Sequence, residues 1–112
     1  MKILKIIIIA LFSLVLLSEE CSEKKTFKSV IIAPNPANDH IELIIEFGED
    51  VELNVSIYDS NGNLVLEPIK GNNYRIGESH ITIQTNTLVP GMYFCRLQAG
   101  INIETQKFVI VR

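Results

Sequence analysis

Two histidines, two cysteines and one acid-amide turn are the side chains of this 112-residue sequence with the most chemistry to offer. His40 and His80 have no nucleophile or metal partner identifiable by spacing, and neither a Gly-x-Ser-x-Gly elbow nor a His-Glu-x-x-His zinc helix occurs. Asp59-x-Asn61-x-Asn63 opens like a calcium loop, in which oxygens two residues apart converge on the ion. It breaks at the sixth position, where Leu64 stands for Gly, and at the twelfth, where Lys70 stands for a bidentate Glu. A hairpin turn is expected there instead. Cys95 lies in phase with Tyr93 and Leu97 on an alternating stretch, which predicts a buried thiol acting as a small apolar side chain. Cys21 is a lipidation candidate by position only, because Glu19 and Glu20 stand where a lipoprotein peptidase takes small residues. A Cys21–Cys95 disulfide is allowed in an oxidising compartment, but nothing in the sequence pins Cys21 near that strand. Asn54-Val55-Ser56 is formally a glycosylation sequon, placed mid-strand. No catalytic residue, metal ligand or cofactor is predicted, and the chain does not read as an enzyme.

Charge narrows the partners further. Ten Lys+Arg face 13 Asp+Glu, a formal charge of -3, which leaves no electrostatic footprint for nucleic acid or anionic lipid. The mean hydropathy of +0.27 is high for a soluble domain, and the excess sits mainly in the first eighteen residues. Lys2 and Lys5 precede an apolar run from Ile6 to Leu17 broken only by Ser13, and Ser18 precedes an abrupt switch to Glu19-Glu20. That is the pattern of a secretory signal peptide over residues 1–18. Twelve helical residues rise only about 18 Å, short of the roughly 30 Å hydrocarbon core, so a retained span is not expected. Cleavage after Ser18 would remove two lysines and no acid, leaving 8 Lys+Arg against 13 Asp+Glu and a charge of -5.

These side chains must be positioned by strands. Residues 19–29 are charged and aperiodic and read as a solvated lead-in. From Val30 onward the apolar period is two: Ile41, Leu43, Ile45 and Phe47 recur on one face, as do Val51, Leu53, Val55 and Ile57. Shorter strands are expected at 30–32, 64–66, 81–83, 92–97 and 104–111. Turn chemistry separates them at 34–39, 59–63, 70–73, Pro90-Gly91 and 99–102. Gly62 is placed to accept the positive φ that closes a hairpin, and Pro90-Gly91 fits the central pair of a type II turn. About seven short alternating strands predict an all-β, Ig-like antiparallel β-sandwich over residues 30–112, since each half-apolar sheet needs a second to cover it.

Four motifs now stand in order: Pro34-Asn35-Pro36-Ala37-Asn38-Asp39, Ile57-Tyr58-Asp59-x-x-Gly62, Leu88-x-x-Gly91-x-Tyr93 and Lys107-Phe108-Val109. In that order and spacing they resemble the C-terminal sorting domain, type A, of the type IX (Por) secretion system. The resemblance covers about Val30 to Arg112. It implies an Ig-like sandwich that is exported through Sec, recognised in the periplasm by translocon components, and carried to the outer surface or the medium. It also implies a sortase-like protease as a second partner. Asn35, Pro36, Asn38, Asp39 and Lys107 are the recognition candidates, with Gly62, Pro90 and Gly91 as structural turns. The departure from the pattern is that only a signal peptide and about ten solvated residues precede the domain, without an evident cargo. The alternative is a stand-alone Ig-like binding or adhesive module in the periplasm or at the cell surface. Fractionation between periplasm, outer membrane and medium separates the two.

Overall fold

Period-two alternation becomes strand pairing throughout the computed structural model, which describes residues 25–112. The strands are β1 (Phe27–Ala33), β2 (His40–Phe47), β3 (Val51–Asp59), β4 (Leu64–Tyr74), β5 (Gly77–Gln84), β6 (Gly91–Ala99) and β7 (Asn102–Ile110). All pair antiparallel, in a three-stranded sheet of order β1-β2-β5 and a four-stranded sheet of order β4-β3-β6-β7. In immunoglobulin lettering these are ABE and C′CFG, with the fourth strand joined to the CFG sheet. The signal-peptide segment and Cys21 lie outside the described residues. No helix among the described residues is long and apolar enough to cross a membrane.

The core lies where the two apolar faces meet. Ile41, Leu43 and Ile45 of β2 are fully buried, as are Leu53, Val55 and Ile57 of β3, Cys95 and Leu97 of β6, and Phe108 of β7. Each such aliphatic side chain contributes about 1.5–3 kcal/mol by leaving water. A one-residue slip of either central strand would turn this whole set to solvent, so the alternation also locks the register.

Three local expectations are corrected. The polar stretch Lys70-Gly71-Asn72-Asn73 is not a turn: β4 runs through it to Tyr74, and the connection to β5 is Arg75-Ile76. β4 is an edge strand with several register shifts against β3, so it accommodates turn-prone residues as bulges, and the Asn54 side chain accepts the Gly71 N–H at 2.9 Å. The first strand starts at Phe27, inside the stretch read as solvated. Thr26 is buried and accepts the Gly48 N–H at 2.9 Å, and the Phe27 ring lies 6.0 Å from Phe47, which stacks on Tyr74 at 5.7 Å. Finally, Pro90-Gly91 is not the centre of a type II turn. The turn lies earlier, with Leu88 N–H donating to Thr85 O at 3.0 Å, and Gly91 opens β6 at φ 154°, far from the roughly +80° of that turn type.

The β3–β4 hairpin closes as the sequence predicts. Gly62 N–H donates to Asp59 O at 3.0 Å, Asp59 N–H to Asn63 O at 2.9 Å, and Gly62 sits at φ 85°. A Cβ there would meet nothing within 4 Å, so a substitution is opposed by backbone conformation alone. Gly62→Val is therefore expected to destabilise by about 1–3 kcal/mol. An unchanged urea midpoint would show that the turn relaxes to another conformation without cost.

Candidate functional site

All four sequence motifs come together at one end of the sandwich. β1 ends and β2 begins around the 34–39 loop, β3 ends and β4 begins around Asp59–Gly62, β5 passes to β6 through Thr85–Pro90, and β7 ends at Ile110. Asp59 pairs with Tyr93 and Tyr93 with Phe108, so three motifs share one row of the four-stranded sheet. The first motif reaches the same row from the other sheet. Ala37 is buried and forms a parallel bridge to Ile110, through Ala37 N–H to Val109 O at 2.7 Å and Val111 N–H to Ala37 O at 2.8 Å.

Each motif has a structural reason. Tyr93 stands at the start of β6, and its hydroxyl donates to the Val89 carbonyl four residues upstream, the tyrosine corner of Ig-like sandwiches. Leu88 is buried beneath that connection, and the Tyr93 ring stacks on Phe108 at 5.8 Å. Arg112 ties the same connection from outside, its guanidinium donating to Leu88 O and, at 2.7 Å, to Thr85 O. In the hairpin, Asp59 Oδ1 accepts the N–H groups of Asn61 and Asn63, both at 2.9 Å, and Oδ2 accepts the Asn63 amide at 3.4 Å. The backbone donor at Asn63 is the largest of the influences that hold the Asp59 carboxyl below its usual range.

The recognition candidates divide by what they touch. Asn35 is exposed, yet its Oδ1 accepts the Val109 N–H at 3.1 Å, so it ties the loop to β7. The Asp39 carbonyl accepts the Thr85 N–H at 2.7 Å, and its carboxylate bonds the His40 ring at 2.8 Å, which lowers its pKa from the ordinary value. Pro36, Asn38 and Lys107 are exposed, and no side-chain hydrogen bond holds Asn38 or Lys107 among the described residues. Asn35→Ala is expected to cost about 0.5–1.5 kcal/mol by orphaning the Val109 N–H, whereas Asn38→Ala leaves the melting temperature unchanged. Equal, unchanged melting for both variants would place Asn35 among the free surface groups.

The matching family is the secretion system C-terminal sorting domain, whose model spans residues 31–111. The chain belongs to this family. It is thus a type IX sorting domain, whose role implies contact with the type IX machinery and export to the cell surface or the medium. No curated protein matches the sequence. The matched span takes in all four motifs, which the fold gathers at one end of the sandwich.

The opposite sheet carries a separate charge cluster. His80 Nδ1 bonds Glu42 at 2.7 Å and Nε2 bonds Glu78 at 2.8 Å, an arrangement that uses both ring nitrogens as donors and so favours the imidazolium. Its pKa is raised, first by Glu42 and then by Glu78. A His with a folded pKa above the unfolded value of about 6.5 contributes stability that is complete below that pH and is lost as pH rises through the folded pKa. NMR titration is expected to place His80 above His residues in unfolded peptides, and Glu42→Gln to lower it. A normal His80 titration would show that the two contacts do not persist in solution.

Proposed function

We propose that this domain is a non-catalytic recognition module, read as a folded unit in the periplasm by type IX translocon components after Sec export. In this reading residues 1–18 are the signal peptide, a short lead-in follows, and the sorting domain begins at Thr26, just before β1. A sortase-like protease acts on the domain after transport. The observation that carries the reading is the gathering of the four motifs at one end, where Pro36, Asn38 and Lys107 remain free to be read while their neighbours hold the fold. A recognition module needs this rigid presentation, because ordering a flexible loop on binding would subtract from affinity.

The test fuses residues 25–112 behind a Sec-exported fluorescent protein in a bacterium with a working type IX system. Passage of the fusion to the surface or medium, lost when the translocon is inactivated, is the expected result. Periplasmic retention of a fusion whose fold is verified by circular dichroism would favour an adhesive or binding module instead.

A further inference from the structure

Among the described residues nothing covers the outer face of the four-stranded sheet, and its aromatic side chains and cations gather toward the motif end. At the motif end, Leu64, Tyr58, Phe94 and Lys107 are direct cross-strand partners and form one row across all four strands. Met92 lies beside this row, 39% exposed, and Leu64 is 48% exposed. Arg96 follows Phe94 on the same face and lies diagonal to Lys107, since Arg96 pairs with Thr105. Farther from the motif end the face is mixed, with Asn54, Ser56 and Gln98 in the next rows and Ile103, 49% exposed, paired with Gln98. An outward sheet face normally carries the polar half of the alternation, so an apolar and aromatic row at one end marks a contact surface.

Charge says what kind of partner fits. Neither Arg96 nor Lys107 takes part in an ion pair among the described residues, although the chain as a whole is acidic. The outer face of the other sheet carries more acid, with Glu42, Glu46 and Glu78, although His80 bonds two of them and an Ile31–Ile44 pair lies alongside. We infer that the Tyr58–Phe94 row, with Arg96 and Lys107 beside it, docks a protein surface of the export machinery that presents carboxylates around an apolar patch. Aromatic and arginine side chains are the usual anchors of such contacts, and unpaired cations at the rim steer an acidic partner into register. This inference rests on the sorting function proposed above and assigns it a face.

The test uses the full chain in a bacterium with a working type IX system, detected by antibody in periplasm, outer membrane and medium. Arg96→Glu with Lys107→Glu is expected to lower export about tenfold, the effect of losing one strong interface contact. The melting temperature of the purified variant should match the wild type, and Glu46→Lys on the opposite sheet should export normally. Should the double reversal disturb folding, Arg96→Gln with Lys107→Gln replaces it, with the same loss expected. Wild-type export by a folded charge variant would overturn the docking face while leaving the sorting function intact. Periplasmic retention of the wild-type chain would remove both. Equal loss from Glu46→Lys would show a general charge effect and overturn the assignment, as would a wild-type dimer that the double variant dissociates, since the face would then serve a second copy of the chain.

Discussion

Deleting Lys107–Arg112 is expected to abolish cooperative folding, and with it export. Phe108 is fully buried and stacked on Tyr93, and loss of such a ring alone costs about 3–5 kcal/mol. Ile110, 1% exposed, adds about 2–5 kcal/mol when its side chain is removed. Together these match much of the roughly 5–15 kcal/mol that stabilises an ordinary domain. The deletion also removes the Ala37 bridge, the Asn35 bond to Val109, and the Arg112 donors to the β5–β6 connection, and it uncovers the edge of β6. A urea titration followed by circular dichroism should show no cooperative transition. The point variant Phe108→Ala should keep a transition at much lower urea. Retention of a wild-type midpoint by the truncated chain would mean that β7 is dispensable to the sandwich.

Cys95 is expected to be alkylated far more slowly in the native protein than in the unfolded chain. Burial pushes its thiol pKa up to about 12, so hardly any of the reactive thiolate is present at neutral pH. The side chain is also fully inaccessible, between Tyr93 and Leu97 on the inner face of β6. Reaction must therefore wait for opening of the central sheet, and its rate reports that opening. Mass spectrometry after timed alkylation measures it. Rapid native labelling would place Cys95 on the outer face and shift the β6 register by one residue.

The inner faces of β2, β3 and β6 could be read directly from residue order. Ile41, Leu43 and Ile45, then Leu53, Val55 and Ile57, alternate so regularly that a pleated backbone has one way to bury them. Hairpin chemistry at Asp59–Gly62 was equally legible, because the groups that close it lie within four residues of one another. The extent of β4 was not. Pro68, Gly71, Asn72 and Asn73 carry turn propensity, and they extend only because an edge strand tolerates bulges and Asn54, seventeen residues upstream, accepts the Gly71 N–H. Phe27 was hidden in the same way by its charged neighbours, since its burial depends on Phe47 and, through it, Tyr74.

The motif residues show most clearly where local reading stops. Residue order by itself determined the strand count, the two-layer architecture, the buried thiol and the family to which the chain belongs. All of these follow from alternation along the chain or from short ordered motifs. Tertiary structure alone decided that the four motifs meet at one end, that Asn35 clamps β7 while Asn38 stays free, and that Tyr93 closes a tyrosine corner over Phe108. It also aligned Leu64, Tyr58, Phe94 and Lys107 across four strands. These relations join residues up to 74 positions apart. Propensity and period act over a few residues, whereas such contacts exist only once the sheets have paired in register and packed face to face.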